Sequence, residues 1–174
     1  IADDYSVTTD VSLGPKEITG NLLMGVNNTT LTITGTIYVR GNIDISNGSN
    51  IRCAASYGED SCVIVNDGWI HLQNNGVFQG SGTAGSYFMF LTTAAGGGHH
   101  NSAIDLHNNA SGAIFYAQNG LIYLHNNVTV TEIVGYKVHL ENNATLIYES
   151  GLENAKFSSG PSGGFNITNW QEVK

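Results

Sequence analysis

What this chain lacks narrows the field before any motif is read. Lysine and arginine together number six and are scattered, so no basic patch exists to neutralise phosphates. Nucleic acid is therefore not an expected partner, and a net charge of −8 disfavours an anionic membrane surface. No apolar run approaches the length of a spanning helix, and no signal peptide is recognisable. Direct membrane insertion by this chain is not expected. Proline occurs only at Pro15 and Pro161, which excludes a Pro-rich linker. Cysteine is equally scarce. Cys53 and Cys62 have no neighbouring histidine to complete a tetrahedral metal site, so the reading is a disulfide closing a short loop. That pairing favours an oxidising, extracellular location at the cell surface.

What is present is glycine, at 22 residues, and asparagine in adjacent pairs. Apolar residues make up 41 % of the chain, enough for a core and too many for disorder. Four segments align on their Asn pairs: WIHLQNN, AIDLHNN, LIYLHNN and KVHLENN. The pairs are Asn74-Asn75, Asn108-Asn109, Asn126-Asn127 and Asn142-Asn143. Their separations of 34, 18 and 16 residues read as two, one and one turns of a roughly 17-residue coil. Within each segment apolar and polar residues alternate. Ile70 and Leu72 match Ile104 and Leu106, then Ile122 and Leu124, then Val138 and Leu140. A period of two with β-branched residues is a strand with one buried face.

The expected fold is all-β: a single-stranded, right-handed parallel β-helix, or β-solenoid. Asparagine tolerates the left-handed backbone that a tight corner requires, and stacked amides can hydrogen-bond from coil to coil. Strands on a second face are expected near Val77, over Tyr87 to Leu91, over Gly112 to Ala117, near Ile133 and near Ile147. Residues 1–20 read as an edge strand or linker, 21–157 as the solenoid, and 158–174 as a C-terminal cap built on Phe165, Ile167 and Trp170. Loop excursions are placed near 53–62 and 94–102. About eight coils at ~4.8 Å each would make a rod of roughly 40 Å.

The stretch GAIFYAQNGLIYLHNNVTVTEIVGYKVHLENNATLIYES resembles a β-helical domain at the C-terminal end of bacterial pilus-assembly, minor-pilin-like proteins. Gly112, Ala113, Ile114, Tyr116, Ala117, Asn119 and Gly120 carry the first half of the likeness, and Lys137, Asn142, Asn143, Ala144, Ile147 and Tyr148 the second. Gln118 stands where that family commonly has proline, and Glu132-Ile133-Val134 replaces its usual small residues. The pilin's hydrophobic N-terminal helix is not in this sequence. The resemblance implies a pilus-associated surface role, with other pilin or appendage subunits as partners and no catalysis or cofactor.

The candidate chemistry lies on the polar positions of the strands. His71 and His139 share one outward position with Asp105 and Tyr123; His107 and His125 share another with Gln73 and Glu141. On successive coils ~4.8 Å apart, His107, His125 and Glu141 could approach one metal ion, but the reading taken is ordinary exposed polar positions of alternating strands, with no metal site assigned. His99-His100 is a weaker pair. The carboxylates Asp44, Glu59, Asp60, Asp67 and Asp105 do not stack into the close pair that glycoside cleavage needs, so no catalytic residue is assigned. Trp69 and Tyr123 are candidate surface contacts for sugar rings. Asn-x-Ser/Thr sequences at Asn27, Asn28, Asn47, Asn109, Asn127, Asn143 and Asn166 mostly follow from the corner motif itself. The function expected is a non-catalytic structural or adhesive module. The alternatives are a carbohydrate-binding or carbohydrate-processing β-helix and a self-assembling filament subunit, with glycans or further copies of the chain as partners.

Overall fold

The structure, a computed structural model, describes residues 1–98, 101–147 and 155–157. Short strands follow one another three to a turn. The first turn holds β1 (Tyr5–Ser6), β2 (Val11–Leu13) and β3 (Lys16–Ile18), and the second β4 (Leu22–Met24), β5 (Thr30–Ile33) and β6 (Ile37–Val39). Next come β7 (Ile43–Ile45), β8 (Asn50–Cys53) and β9 (Asp60–Asn66), then β10 (Ile70–Leu72), β11 (Val77–Gln79) and β12 (Phe88–Thr92). The fifth turn is β13 (Ile104–Leu106), β14 (Ser111–Gly112) and the first half of β15 (Ile114–Leu124). The second half of β15 opens the sixth, with β16 (Thr129–Val130) and the start of β17 (Glu132–Leu140). The rest of β17 and β18 (Thr145–Leu146) begin a seventh, and β19 (Lys156–Phe157) follows.

Among the described residues every strand pairing is parallel, which makes the chain an all-β, solenoid-like winding. One face runs β1-β4-β7-β10-β13-β15-β17 and a second runs β2-β5-β8-β11-β14-β16-β18. A third runs β3-β6-β9-β12-β15-β17. Faces one and three merge into a single sheet because β15 and β17 continue round the corner between them, with a register shift between Ala117 and Leu121. The strands expected on a second face are thus divided between two. Val77 and Leu146 lie on face two, whereas Phe90, Phe115 and Ile133 lie on face three.

Register also revises the coil length. Tyr5, Leu22, Ile43, Ile70, Ile104, Ile122 and Val138 are successive partners, so the turns measure 17, 21, 27, 34, 18 and 16 residues. The 34-residue spacing is one turn, not two. Its extra length lies in the residues between β11 and β12 and between β12 and β13. The second was expected as an excursion; the first, which holds Gly80, Gly82 and Gly85, was not. Residues 1–20 supply three paired strands and are not a linker.

Inside, the ladder is continuous. Leu22, Ile43, Ile70, Ile104 and Ile122 are fully buried in one column, and Met24, Ile45, Leu72, Leu106 and Leu124 in the next. Phe78, Phe88, Phe90 and Phe115 stack across faces two and three, with Phe90 and Phe115 5.6 Å apart and nearly parallel. Val138 and Leu140 keep the register but are exposed, because no described strand continues face one beyond β17. Cys53 and Cys62 form the expected disulfide, joining β8 to β9 across a 3₁₀ turn at Ala55–Tyr57. Lys156 and Phe157 pair with Asp60 and Ser61, and Phe157 joins a second apolar cluster with Met89 and Ile114 on the outside of face three. The cap expected at 158–174, with Phe165, Ile167 and Trp170, lies outside the described residues, as do Tyr148, Asn166 and His99-His100.

Candidate functional site

Two columns of side chains line the outside of the winding. The first is the asparagine corner. Asn28, Asn75, Asn109, Asn127 and Asn143 all have positive φ, as do Asn47, Asn74 and Asn108. Asn126 and Asn142 are not among the positive-φ residues, so in the last two pairs only the second amide residue takes the left-handed turn. The corners are zipped by backbone bonds from Asn75 N–H to Asn108 C=O (2.9 Å), Asn109 to Asn126 (3.4 Å) and Asn127 to Asn142 (3.0 Å). Side-chain amides donate in register: Asn108 to Asn74, Asn109 to Asn75, Asn142 to Asn126 and Asn143 to Asn127, at 3.0–3.4 Å. An open groove runs along this corner between Asn27, Asn28, Asn47, Gly48, Asn74 and Asn75.

The second column lies on the outward side of face one. Strand alternation puts Asp44, His71, Asp105, Tyr123 and His139 in register on adjacent strands. Two residues further along each strand stand Gln73, His107, His125 and Glu141. Asp105 is the hub. Its Oδ1 lies 2.8 Å from His125 Nε2 and 3.1 Å from His107 Nε2. The His107 and His125 rings stack with centroids 3.7 Å apart. His71 packs edge-on to His107 at 5.2 Å, and Gln73 Nε2 lies against the His71 ring. The other nitrogen of His125, Nδ1, is 3.1 Å from Glu141 Oε2, and the Tyr123 hydroxyl donates to Glu141 Oε1.

These contacts set the local electrostatics. The hydrogen bond from Tyr123 holds the Glu141 carboxyl below its ordinary value. The same bond, with desolvation and the Glu141 charge, pushes the Tyr123 hydroxyl up to about 12. Burial lowers the His107 imidazole, partly opposed by the Asp105 charge.

Each candidate from the sequence can now be placed. His107 and His125 do come together, but Glu141 sits on the far nitrogen of His125 and does not face the same point. The grouping whose ligand atoms all lie within 4.8 Å of one another is His71, Asp105 and His107. Alternation showed the columns, but not that Asp105 bridges the two. Tyr123 is not a surface contact: only 2 % of it is exposed, between the rings of His125 and His139. Trp69 is exposed at 42 %, with its ring 6.1 Å from that of His71. Asp67 accepts the Tyr38 hydroxyl on face three, which raises the tyrosine, while Asp44 and Asp105 are held two rungs apart, on either side of His71.

Fold and site define a class, a solenoid-like protein of parallel sheets with an amide-zipped corner and an external imidazole–carboxylate strip. No protein-family model, curated protein or solved structure matches the chain.

Proposed function

We propose that the chain is a single-stranded, right-handed parallel β-helix serving as a non-catalytic structural or adhesive module of an extracellular, pilus-associated appendage. It docks to other appendage subunits or to copies of itself through the end of its stack. The observation that carries this reading is the apolar surface there. Val138, Leu140, Leu146 and Ile147 are about half exposed, whereas Ile122, Leu124 and Val130 one turn earlier are buried. Among the described residues these last parallel edges are unpaired over apolar side chains, and such edges call for a partner. The Cys53–Cys62 disulfide supports an oxidising setting, and the likeness to minor-pilin-like domains supports the appendage. Fractionation of the native host tests it. The chain is expected in sheared surface material, and Leu140→Glu with Leu146→Glu is expected to release it into the medium at unchanged melting temperature. Recovery from the cytoplasm with both cysteines reduced contradicts the reading.

One observation favours a second reading, a carbohydrate-binding β-helix. Trp69 offers an exposed ring for stacking, and the corner groove offers amide donors and acceptors for hydroxyls. A glycan array on which the wild type binds and Trp69→Ala does not would select it.

A further inference from the structure

The strip on face one holds two buried polar atoms without a hydrogen bond, Asp105 Oδ1 and His125 Nε2. Tyr123 donates to Glu141, and Glu141 is in turn the acceptor facing His125 Nδ1. In the tautomer that donates from Nδ1 to Glu141, the ring presents a lone pair at Nε2. That lone pair meets Asp105 Oδ1, another acceptor, at 2.8 Å. Both atoms are closed off from solvent and neither makes a hydrogen bond. His107 Nε2 lies 3.1 Å from the same oxygen, and His71, Asp105 and His107 each offer a ligand atom within 4.8 Å of the others. His71, Asp105 and His107 thus converge, and His125 Nε2 reaches the same carboxylate oxygen from the next rung.

The geometry points to a divalent transition-metal site, of the Zn²⁺ class, in which His71, Asp105 and His107 are the ligands and His125 Nε2, 2.8 Å from the same Asp105 oxygen, completes the set. Ligand atoms ~2.0–2.1 Å from a tetrahedral Zn²⁺ stand about 3.3 Å from one another, so the Asp105 contacts need to open by only a few tenths of an ångström. Mixed imidazole and carboxylate donors select Zn²⁺, Cu²⁺ or Ni²⁺ over Mg²⁺ or Ca²⁺. The outer partners also suit a metal site. Glu141 stands on the far nitrogen of His125, where it can accept from Nδ1 and so favour the tautomer that leaves Nε2 to coordinate. The four ligands come from three successive rungs, on β10, β13 and β15 or directly after them. A bound ion would staple those rungs together on the outside, across the 34-residue turn where the winding is most interrupted. This proposal goes beyond the structural or adhesive reading and does not depend on it.

Titration calorimetry and thermal unfolding of the untagged full chain, freed of metal by chelation, test the site. Zn²⁺ is expected to bind one per chain and, at a hundredfold excess over Kd, to raise the unfolding midpoint by roughly 5–10 °C; Mg²⁺ should do neither. Co²⁺ should bind with the intense visible absorption of a tetrahedral site. His107→Ala and Asp105→Asn should abolish binding, and Glu141→Gln should weaken it by about 10–100-fold. His99→Ala with His100→Ala should leave it intact. Absence of Zn²⁺ binding to the folded wild type, or binding lost in the His99/His100 variant but kept in His107→Ala, overturns the assignment. Circular dichroism on each variant separates loss of the site from loss of the fold.

Discussion

At a corner of the winding the chain must pass through the left-handed backbone region, where a Cβ is usually a penalty and asparagine is best tolerated after glycine. Asn109 has φ 62° and donates its side chain to Asn75 at 3.0 Å. Asn109→Ala is expected to destabilise by about 1–3 kcal/mol in urea unfolding, combining the backbone penalty with one lost hydrogen bond. Asn126→Ala, at a position without positive φ, should lose about 1 kcal/mol or less. Equal losses at the two would remove the backbone from the explanation. Glu132 gives a second residue-scale test. Burial raises its carboxyl above the ordinary glutamate range. Its folded value therefore exceeds its unfolded one, so the ionised side chain penalises the fold at neutral pH. The penalty fades as pH falls through the raised value to the unfolded one. Glu132→Gln is expected to be more stable than wild type at pH 7 and indistinguishable from it below about pH 4. A stabilisation that persists unchanged in acid would contradict this.

Strands here are too short to be stable singly; each is held by its neighbours above and below. Ile104 lies between Ile70 and Ile122 with no exposed surface, so Ile104→Ala should destabilise by about 2–5 kcal/mol. Val138→Ala, at an exposed position of the last rung, should change stability by well under half as much. The Cys53–Cys62 link closes a short loop, and Cys53→Ser with Cys62→Ser should lower stability by about 2–3 kcal/mol in denaturant unfolding under non-reducing conditions. At this scale the sequence was most readable on face one. There an apolar-x-apolar segment leads into an Asn pair, so periodicity and corner chemistry mark the same residues. Face three was poorly readable. Lys16–Ile18 has a single buried residue, and β12 buries Phe88, Met89 and Phe90 in succession because residues 155–157 bring Phe157 onto its outer side. No alternation survives burial on both sides. The site was half legible for a related reason. Alternation identifies outward columns, but which imidazole nitrogen faces Asp105 depends on rotamers that a linear pattern does not encode.

Across the whole molecule, the number of turns depends on excursions that a spacing cannot distinguish from extra coils. A gap of 34 residues is twice 17 by arithmetic, yet His71 lies directly beside Asp105. Among the described residues, the seven rungs on face one span about 29 Å, against a rod of eight regular coils expected from the Asn spacing. The irregular turns are also where the molecule differs most from an idealised repeat, and the imidazole strip begins at that point. The account rests on this stacking order. Nuclear Overhauser contacts between backbone protons of the isotope-labelled chain measure it most directly, since only strands ~4.8 Å apart give them. Cross-peaks linking His71 to Asp105 and Asp105 to Tyr123 are predicted, with none linking His71 to Tyr123. An intervening strand paired to both His71 and Asp105, with no contact between those two, would contradict the winding.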